Sequence, residues 1–450
     1  MRVMIATVPH PSHFYTLVPY AQALQNAGHE VVVAAPPGAE PALVAAGLTA
    51  VSNGVPTPLT PANLRKVGVP DLEKMDRFAD AFELDDATRD RWDAFYQFFA
   101  FNNRMSIPTE PQATLDGLVD FAKAWKPDLV LWENWFQFGA IIARASGAAH
   151  ARILISPDYG AWSLELYAQK GNDAVAAIGG NPIVEDLEPV AKRYGVEIDD
   201  DLLLGQLTID PLPRELRMSE NITAAPVRAI PYNGGAQKPE WLYGRPAKRR
   251  IALTLGLSNR LWQVDGDPRL PKLLAAVGEL DVEVIATVTE QQLKQVETIP
   301  DNVQVVDYVP LIQLLPTCDA IISHGATGTF WAAHSAGIPQ IILDTDEKHR
   351  MIWSGDGDNI SVSNADRHGD SWVCAKYMTD HNAGIRVNHQ TESVEEIRAK
   401  IDALLTDPAY REGAKALHKA WADRPSPAEL IPELVRLVER HQAQVPADLQ

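Results

Sequence analysis

Apolar runs of strand length recur along this chain, each followed by a tight turn and then by residues whose apolar positions fall on one helical face. In the first half these runs are residues 2–8 (RVMIATV), 30–35 (EVVVAA), 128–132 (DLVLW) and 150–155. After the first, Leu17, Val18, Ala21 and Leu24 share a helical face that Gly28 closes. A short helix near 41–46 and another over 136–146 fit the same rhythm. In the second half it restarts, with runs at 250–255, 282–288, 303–306, 320–323 and 340–343 and amphipathic helices over 393–405 and 427–441. Strands alternating with helices at this spacing predict parallel, doubly wound sheets, the α/β class. The turn Tyr232-Asn-Gly-Gly235 and the basic, proline-containing stretch 238–250 mark a boundary between two such domains. The predicted division is 1–230, a linker 231–249, a second domain 250–426, and a last helix and tail 427–450 that is free to cross back to the first domain. Residues 52–115 and 160–225 break the rhythm, the latter reading as helices and loops over the sheet.

Chemistry concentrates at 318–340 (CDAIISHGATGTFWAAHSAGIPQ). A strand run ends at Ser323, a loop of small residues follows from His324 to Thr329, and a helix over 330–336 is closed by Gly337 and Pro339. Gly325 and Gly328 let backbone N–H groups face a ligand, Thr327 and Thr329 add hydroxyls, and His324 adds a ring donor. A helix N-terminus adds positive potential at the same end, so the loop suits a phosphate. It is neither a P-loop nor a dinucleotide fingerprint, and taken alone it also fits a packing turn. Its place at the carboxyl end of a strand is where such sheets bind ligands.

His13 occupies the corresponding place in the first half, after the first strand and before the first helix. It reads either as a solvent-facing loop histidine or as a general base that titrates near neutrality. Glu133, directly after the run 128–132, is expected at the same sheet edge, where it would orient the imidazole. The segment 92–101 (WDAFYQFFAF) fits core packing or the wall of a pocket for a large apolar ligand. Asp344-Thr-Asp346 has the form of a metal-binding DxD, and Asp356-Gly-Asp358-Asn359 that of part of a calcium loop. Neither has the further ligands of such sites, and an acidic surface loop accounts for both.

Composition narrows the partners. A 450-residue chain with 46% apolar and 22% charged residues is long enough for two globular domains. Its net charge of −19 argues against nucleic acid or an anionic membrane as a general partner. Two cysteines without metal-type spacing, no signal-type segment and no membrane-length apolar run lead to an expectation of a soluble cytoplasmic protein.

Scattered motifs add a resemblance over nearly the whole chain. They are Ser12-His13 with Leu17-Val18-Pro19, Ala27-Gly-His-Glu-Val31, Trp125-Lys-Pro-Asp-Leu-Val130 with Trp132-Glu133, and His150-Ala-Arg152. Gly205-Gln206, Ile209-Asp-Pro211, Pro239-Glu-Trp-Leu242, Leu253-Thr-Leu-Gly256, Pro300-Asp-Asn-Val303, Val309-Pro310, Leu314-Leu-Pro316 and the glycine loop continue the series. In these features the chain resembles the inverting, family-one antibiotic glycosyltransferases of the GT-B fold. Within them it is most similar to the activator-dependent macrolide and anthracycline deoxysugar transferases of the desosaminyltransferase type.

The resemblance implies two Rossmann-like domains facing an interdomain cleft, the first binding an acceptor and the second a nucleotide sugar. It implies transfer of a deoxysugar, an aminodeoxysugar by preference, from a TDP-sugar to a hydroxyl of a polyketide or macrolide aglycone, with no metal or other cofactor. His13 would be the base and Glu133 its acidic partner. Val309 would recognise the thymine-type base through its backbone, while Ser258 and His324, Gly325, Ala326, Thr327, Gly328 and Thr329 would hold the diphosphate. Asp370 would contact the sugar, unless the apparent insertion 344–368 gives that role to Asp346 or Glu347. The resemblance also implies a helper protein related to haem monooxygenases and admits a homodimer. The family pattern His-His-Gly-Gly is Ser323-His324-Gly325-Ala326 in this chain, which removes one donor and leaves a cradle that accepts alanine if its φ is negative. Two rivals share the architecture: a sugar-nucleotide 2-epimerase, and a non-catalytic sugar-nucleotide-binding partner subunit. A glycoside hydrolase would need two carboxylates across the bond, and no such pair stands out.

Overall fold

Strand β1 (Arg2–Ala6) is buried at every position after Arg2, β2 (Glu30–Ala34) at every position after Glu30, and β4 (Leu129–Glu133) throughout. Strands covered on both faces are why the sequence shows continuous apolar runs rather than alternation. The computed structural model describes the chain except residues 59, 67, 100–110, 245, 262, 264, 357–358, 364–365 and 445–450. It divides into two units, Met1–Ala229 with Pro425–Gln450, and Ile230–Arg424.

In the first unit β1, β2, β4, β5 (Ala149–Ile153) and the short strands β3 (Thr49–Val51), β6 (Thr208–Asp210) and β7 (Ala224–Pro226) form one parallel sheet, ordered β3-β2-β1-β4-β5-β6-β7. The winding reverses between β1 and β4, so the chain turns to opposite faces at the carboxyl ends of these two neighbours and opens a crevice there. The sequence missed β3, β6 and β7. Each spans three residues at or near a sheet edge, and β7 ends in proline, so none leaves a run long enough to read.

The first helix, Pro11–Asn26, starts earlier than its apolar face suggests. Pro11 stands at its first position, the His10 ring accepts the Ser12 N–H at 3.2 Å, and Gly28 follows its C-cap at φ +84°. The helix Pro427–Gln444 returns to this unit and packs on the first helix and β5, burying Leu430, Leu434 and Leu437. His441 fastens it through Gln206 and the Gly147 carbonyl, each at 3.2 Å.

Aromatic residues of the segment 92–101 are core. Trp92, Phe95 and Tyr96 are buried against Phe78 and Phe82, and the Trp92 indole donates to the Met75 carbonyl at 3.0 Å. A pocket wall is therefore not formed by these three side chains; Ala100 and Phe101 lie outside the described residues.

The second unit repeats the plan with β8 (Arg249–Thr254), β9 (Val282–Thr287), β10 (Val303–Val306), β11 (Ala320–Ser323) and β12 (Gln340–Leu343). A hairpin of β13 (Ile352–Asp356) and β14 (Asn359–Ser363) stands apart, and β15 (Gly384–Val387) closes the parallel order β10-β9-β8-β11-β12-β15. Here the winding reverses between β8 and β11. The hairpin and β15 were not legible: one lies in the acidic stretch 344–368, and the other opens on a glycine. Gly384 is there for space, since a Cβ would lie 2.4 Å from the Gln340 carbonyl oxygen.

Candidate active site

Both candidate clusters stand at the two reversal points. In the first unit, β4 ends on Glu133, whose side chain is fully buried. One carboxylate oxygen accepts the Val8 N–H at 2.9 Å and the Thr7 hydroxyl at 3.3 Å, both from the turn after β1. His13 lies in the first turn of the helix that follows, rather than in the loop before it, and its Nδ1 is 3.0 Å from each Glu133 oxygen. Facing a carboxylate, Nδ1 carries the proton, which leaves the lone pair on Nε2. Nε2 has no partner among the described residues, and the His13 side chain is 20% exposed. Trp135 and His10 stand edge-on to the ring at centroid distances of 6.0 and 6.2 Å, at interplanar angles of 87° and 89°. Burial, reinforced by the nearby His13, drives the His10 pKa down to about 3. His10 therefore remains a neutral acceptor for Ser12 and does not compete as a base. Sequence reasoning missed His10, Trp135 and the turn Thr7–Val8; only the adjacency of Trp135 to Glu133 offered a signal.

The arrangement can take a proton from a hydroxyl presented to Nε2, with the buried carboxylate stabilising the imidazolium that forms. The imidazole is held in one tautomer, with a carboxylate beside it, by the protein's own groups.

In the second unit the loop after β11 runs beside the turn after β8. A Cβ on Gly256 would lie 2.3 Å from a carbon of the His324 ring, so the imidazole occupies the space that glycine leaves. His324 is 1% exposed, and neither ring nitrogen has a hydrogen-bond partner among the described residues. Burial, with lesser contributions from His368 and Arg269, holds its pKa far below the usual imidazole range; the Thr254 backbone acts in the other direction. His324 is thus a neutral, buried ring, and any contact to an anion runs through a single N–H.

Gly325 has φ +80°, and a Cβ there would lie 2.8 Å from both the Ser371 Cα and the Ile342 side chain. Ala326 has φ −67° and an extended ψ of 141°, so alanine fits this position without strain. The helix begins at Thr327, three residues before the sequence suggests, and ends at Gly337 with φ +65°. No side chain caps it through Ala326. The amides of Gly328 and Thr329 have no partner among the described residues, Gly328 is exposed, and no atom lies within 4 Å of a Cβ built on it. These two N–H groups are free to bind an anion.

Asp370 is 4% exposed, and its Oδ2 accepts from the Thr327 hydroxyl at 2.6 Å and the Thr327 N–H at 3.3 Å. Ser258 opens the short turn Ser258–Leu261 after β8, partly exposed. Val309 follows β10, its side chain packed with Leu314, Leu315 and Ile321 and its backbone N–H and carbonyl unpartnered among the described residues.

The DxD residues bind the protein's own cations. Asp344 takes Arg367 and Arg386 at 3.0 Å each and the Ser371 hydroxyl at 2.7 Å; Asp346 takes Arg386 at 2.5 Å and the Asn388 amide at 3.0 Å. Among the described residues no group of three or more His, Cys, Asp or Glu is placed to hold a metal. The calcium-like stretch forms the end of the β13–β14 hairpin, with residues 357–358 outside the described ones.

The family described as "Erythromycin biosynthesis protein CIII-like" matches residues 22–256 with its N-terminal domain and 271–354 and 360–437 with its C-terminal domain. The chain belongs to this family. Only residues 355–359 interrupt the second match, a narrower break than the insertion suggested by the sequence. The aclacinomycin-T 2-deoxy-L-fucose transferase of Streptomyces galilaeus is 34% identical over 450 residues, covering 98% of this chain and 97% of its own. The 3-alpha-mycarosylerythronolide B desosaminyl transferase of Saccharopolyspora erythraea is 34% identical over 437 residues, covering 96% and 97%. Among solved structures, the spinosyn forosaminyltransferase SpnP superposes with a TM-score of 0.76 at 31% identity, over 98% of this chain and 99% of that one. The glycosyltransferase VinC, solved with dTDP, gives 0.74 at 29% identity over 98% and 100%. This family member is accordingly a GT-B glycosyltransferase, with each of its two parallel sheets carrying one cluster at its reversal point.

Proposed function

We propose that this chain is an inverting transferase that moves a deoxysugar, by preference an aminodeoxysugar, from a thymidine-diphosphate donor to a hydroxyl of a polyketide-type aglycone. The observation that carries the reading is the His13–Glu133 pair, with Nδ1 at 3.0 Å from both carboxylate oxygens and no partner for Nε2 among the described residues. Relatives named for deoxysugar and aminosugar transfer, at 32–34% identity over nearly their full length, supply the substrate class.

In this reading Nε2 of His13 takes the acceptor's hydroxyl proton as that oxygen bonds to the anomeric carbon. The bond from the anomeric carbon to the phosphate oxygen breaks on the opposite face, and the diphosphate leaves with its electrons. General-base help of this kind is worth about 100- to 10,000-fold. Negative charge growing on the leaving group is met by the amides of Gly328 and Thr329 and by the helix end behind them. Ser258 and His324 add donors to the diphosphate, and the backbone of Val309 pairs with the base. Asp370 stands beside the anion cradle, and its part in sugar recognition belongs to the same reading.

A helper protein related to haem monooxygenases, a homodimer and a cytoplasmic location complete the proposal. Among the described residues no helix is long and apolar enough to cross a membrane. Turnover with and without a co-expressed helper tests the first of these, and sedimentation tests the second. The deciding experiment is a screen of thymidine- and uridine-diphosphate sugars against polyketide aglycones, read by mass spectrometry. A new mass equal to aglycone plus sugar less one water, formed only with thymidine donors and shown by NMR coupling constants to have inverted anomeric configuration, is the expected product. Sugar isomerisation without an acceptor would favour an epimerase instead.

A further inference from the structure

Asp370 places a full negative charge on the helix end that the proposed donor also needs. Its Oδ2 holds the hydroxyl and amide of Thr327, the first residue of the helix, while the free amides belong to the next two residues, Gly328 and Thr329. A second feature points to a ligand at the same loop: His324, 1% exposed, has neither ring nitrogen in a hydrogen bond among the described residues. The positive groups nearby do little to offset the carboxylate. His368 has Nδ1 3.8 Å from Oδ2, but burial lowers its pKa. The Arg269 guanidinium is committed to Asp267 through two bonds of 2.6 and 2.8 Å, both side chains fully buried.

We propose that Asp370 makes this site discriminate between the sugar-bearing nucleotide and the bare nucleoside diphosphate that transfer leaves behind. The inference rests on the donor assignment given above. In the donor each phosphate is esterified on both sides and carries one negative charge. When the bond to the sugar breaks, the terminal phosphate gains a second ionisable oxygen with a pKa near 6 and approaches a charge of −2 at neutral pH. The new charge develops on the oxygen that had faced the sugar, the end of the ligand that Asp370 would flank. A carboxylate there is tolerated by the donor and repels the product, which hastens release and limits product inhibition.

The test is calorimetric binding of thymidine diphosphate to the wild-type chain and to Asp370→Asn and Asp370→Ala, with melting curves confirming that the variants fold. Removing one like charge near a partly buried anion is expected to tighten thymidine diphosphate about tenfold. Product inhibition should deepen by a similar factor. Loss of a sugar contact alone leaves the affinity for the bare diphosphate unchanged, so unchanged or weaker binding by folded variants overturns the proposal while the donor assignment stands. A wild-type chain that does not bind thymidine diphosphate overturns both.

Discussion

Nδ1 of His13 sits 3.0 Å from each oxygen of Glu133, and the Glu133 carboxylate is in turn held by the Val8 amide. The imidazole is thereby fixed in one tautomer by a group that is itself fixed. His13→Ala is expected to lower kcat by about 100- to 10,000-fold while the melting temperature and donor affinity stay near wild type. Glu133→Gln should also depress kcat, because the amide supports either tautomer and no longer balances the imidazolium. Glu133→Ala adds a stability loss of about 1–3 kcal/mol, since the buried Val8 N–H is left without its partner. Steady-state kinetics beside urea unfolding separate these effects. Full turnover by His13→Ala would remove it as the base.

Gly325 and Gly328 look alike in sequence and differ in their surroundings. At Gly325 a Cβ meets the Ser371 backbone at 2.8 Å and φ is +80°, so Gly325→Ala should cost about 2 kcal/mol or more. At Gly328 no atom lies within 4 Å, and alanine favours the helix, so Gly328→Ala should melt at or slightly above the wild-type temperature. The same added methyl stands beside two free amides and should weaken thymidine diphosphate binding about tenfold. Calorimetry and melting curves on both variants check the contrast.

His150, His324 and His334 all bear on pH stability. The pKa values of His150 and His334 fall to about 3, and that of His324 lies well below 6.5, in each case chiefly through burial. Each is neutral in the folded chain and titrates near 6.5 when unfolded. Below that value the unfolded chain binds protons that the folded chain refuses, so stability is fully present above pH 6.5 and falls as pH drops toward 3. Each such histidine contributes a slope of about 1.4 kcal/mol per pH unit in that window. The Trp132 indole donates to Nδ1 of His150 at 3.3 Å, a bond that only the neutral ring accepts. Melting temperatures at pH 7.5 and 5.5 should differ, and His150→Gln should reduce the difference.

Asp344 and Asp346 are expected to behave unequally although they share one motif. Asp344 is buried between Arg367, Arg386 and Ser371, so Asp344→Ala takes the carboxylate away from the buried Arg367 and should cost about 3 kcal/mol. Asp346 is 76% exposed, and Asp346→Ala should change stability by less than about 1 kcal/mol. Chemical denaturation of the two variants gives the comparison.

What the sequence revealed follows from what leaves a one-dimensional trace. Strands buried on both faces, such as β1, β8 and β11, write continuous apolar runs, and the glycine loop writes small residues before a helix. The sheet edges write little: Thr49–Val51 and Ala224–Pro226 are too short, and the β13–β14 hairpin is half polar. Helix starts were misplaced at Pro11 and Thr327 for one reason: the first turn of each is built from small, polar or ligand-facing residues that show no apolar period. The clusters were found through position after a strand. The His10 and Trp135 flanks, the burial of His324 and the bond from Asp370 to Thr327 depend on contacts between residues distant in sequence or on ring orientation, which spacing does not encode.

The chain leaves its first unit at Ala229 and re-enters it at Pro425, with the Arg228 amide bonded to the Pro425 carbonyl at 2.7 Å. On the ribosome this imposes an order of assembly. The second unit is a contiguous stretch and emerges whole while the first still lacks the helix that covers its first helix and β5. The part of the enzyme made first is thus finished last, and a premature stop anywhere before Pro427 damages the end of the protein that was already synthesised.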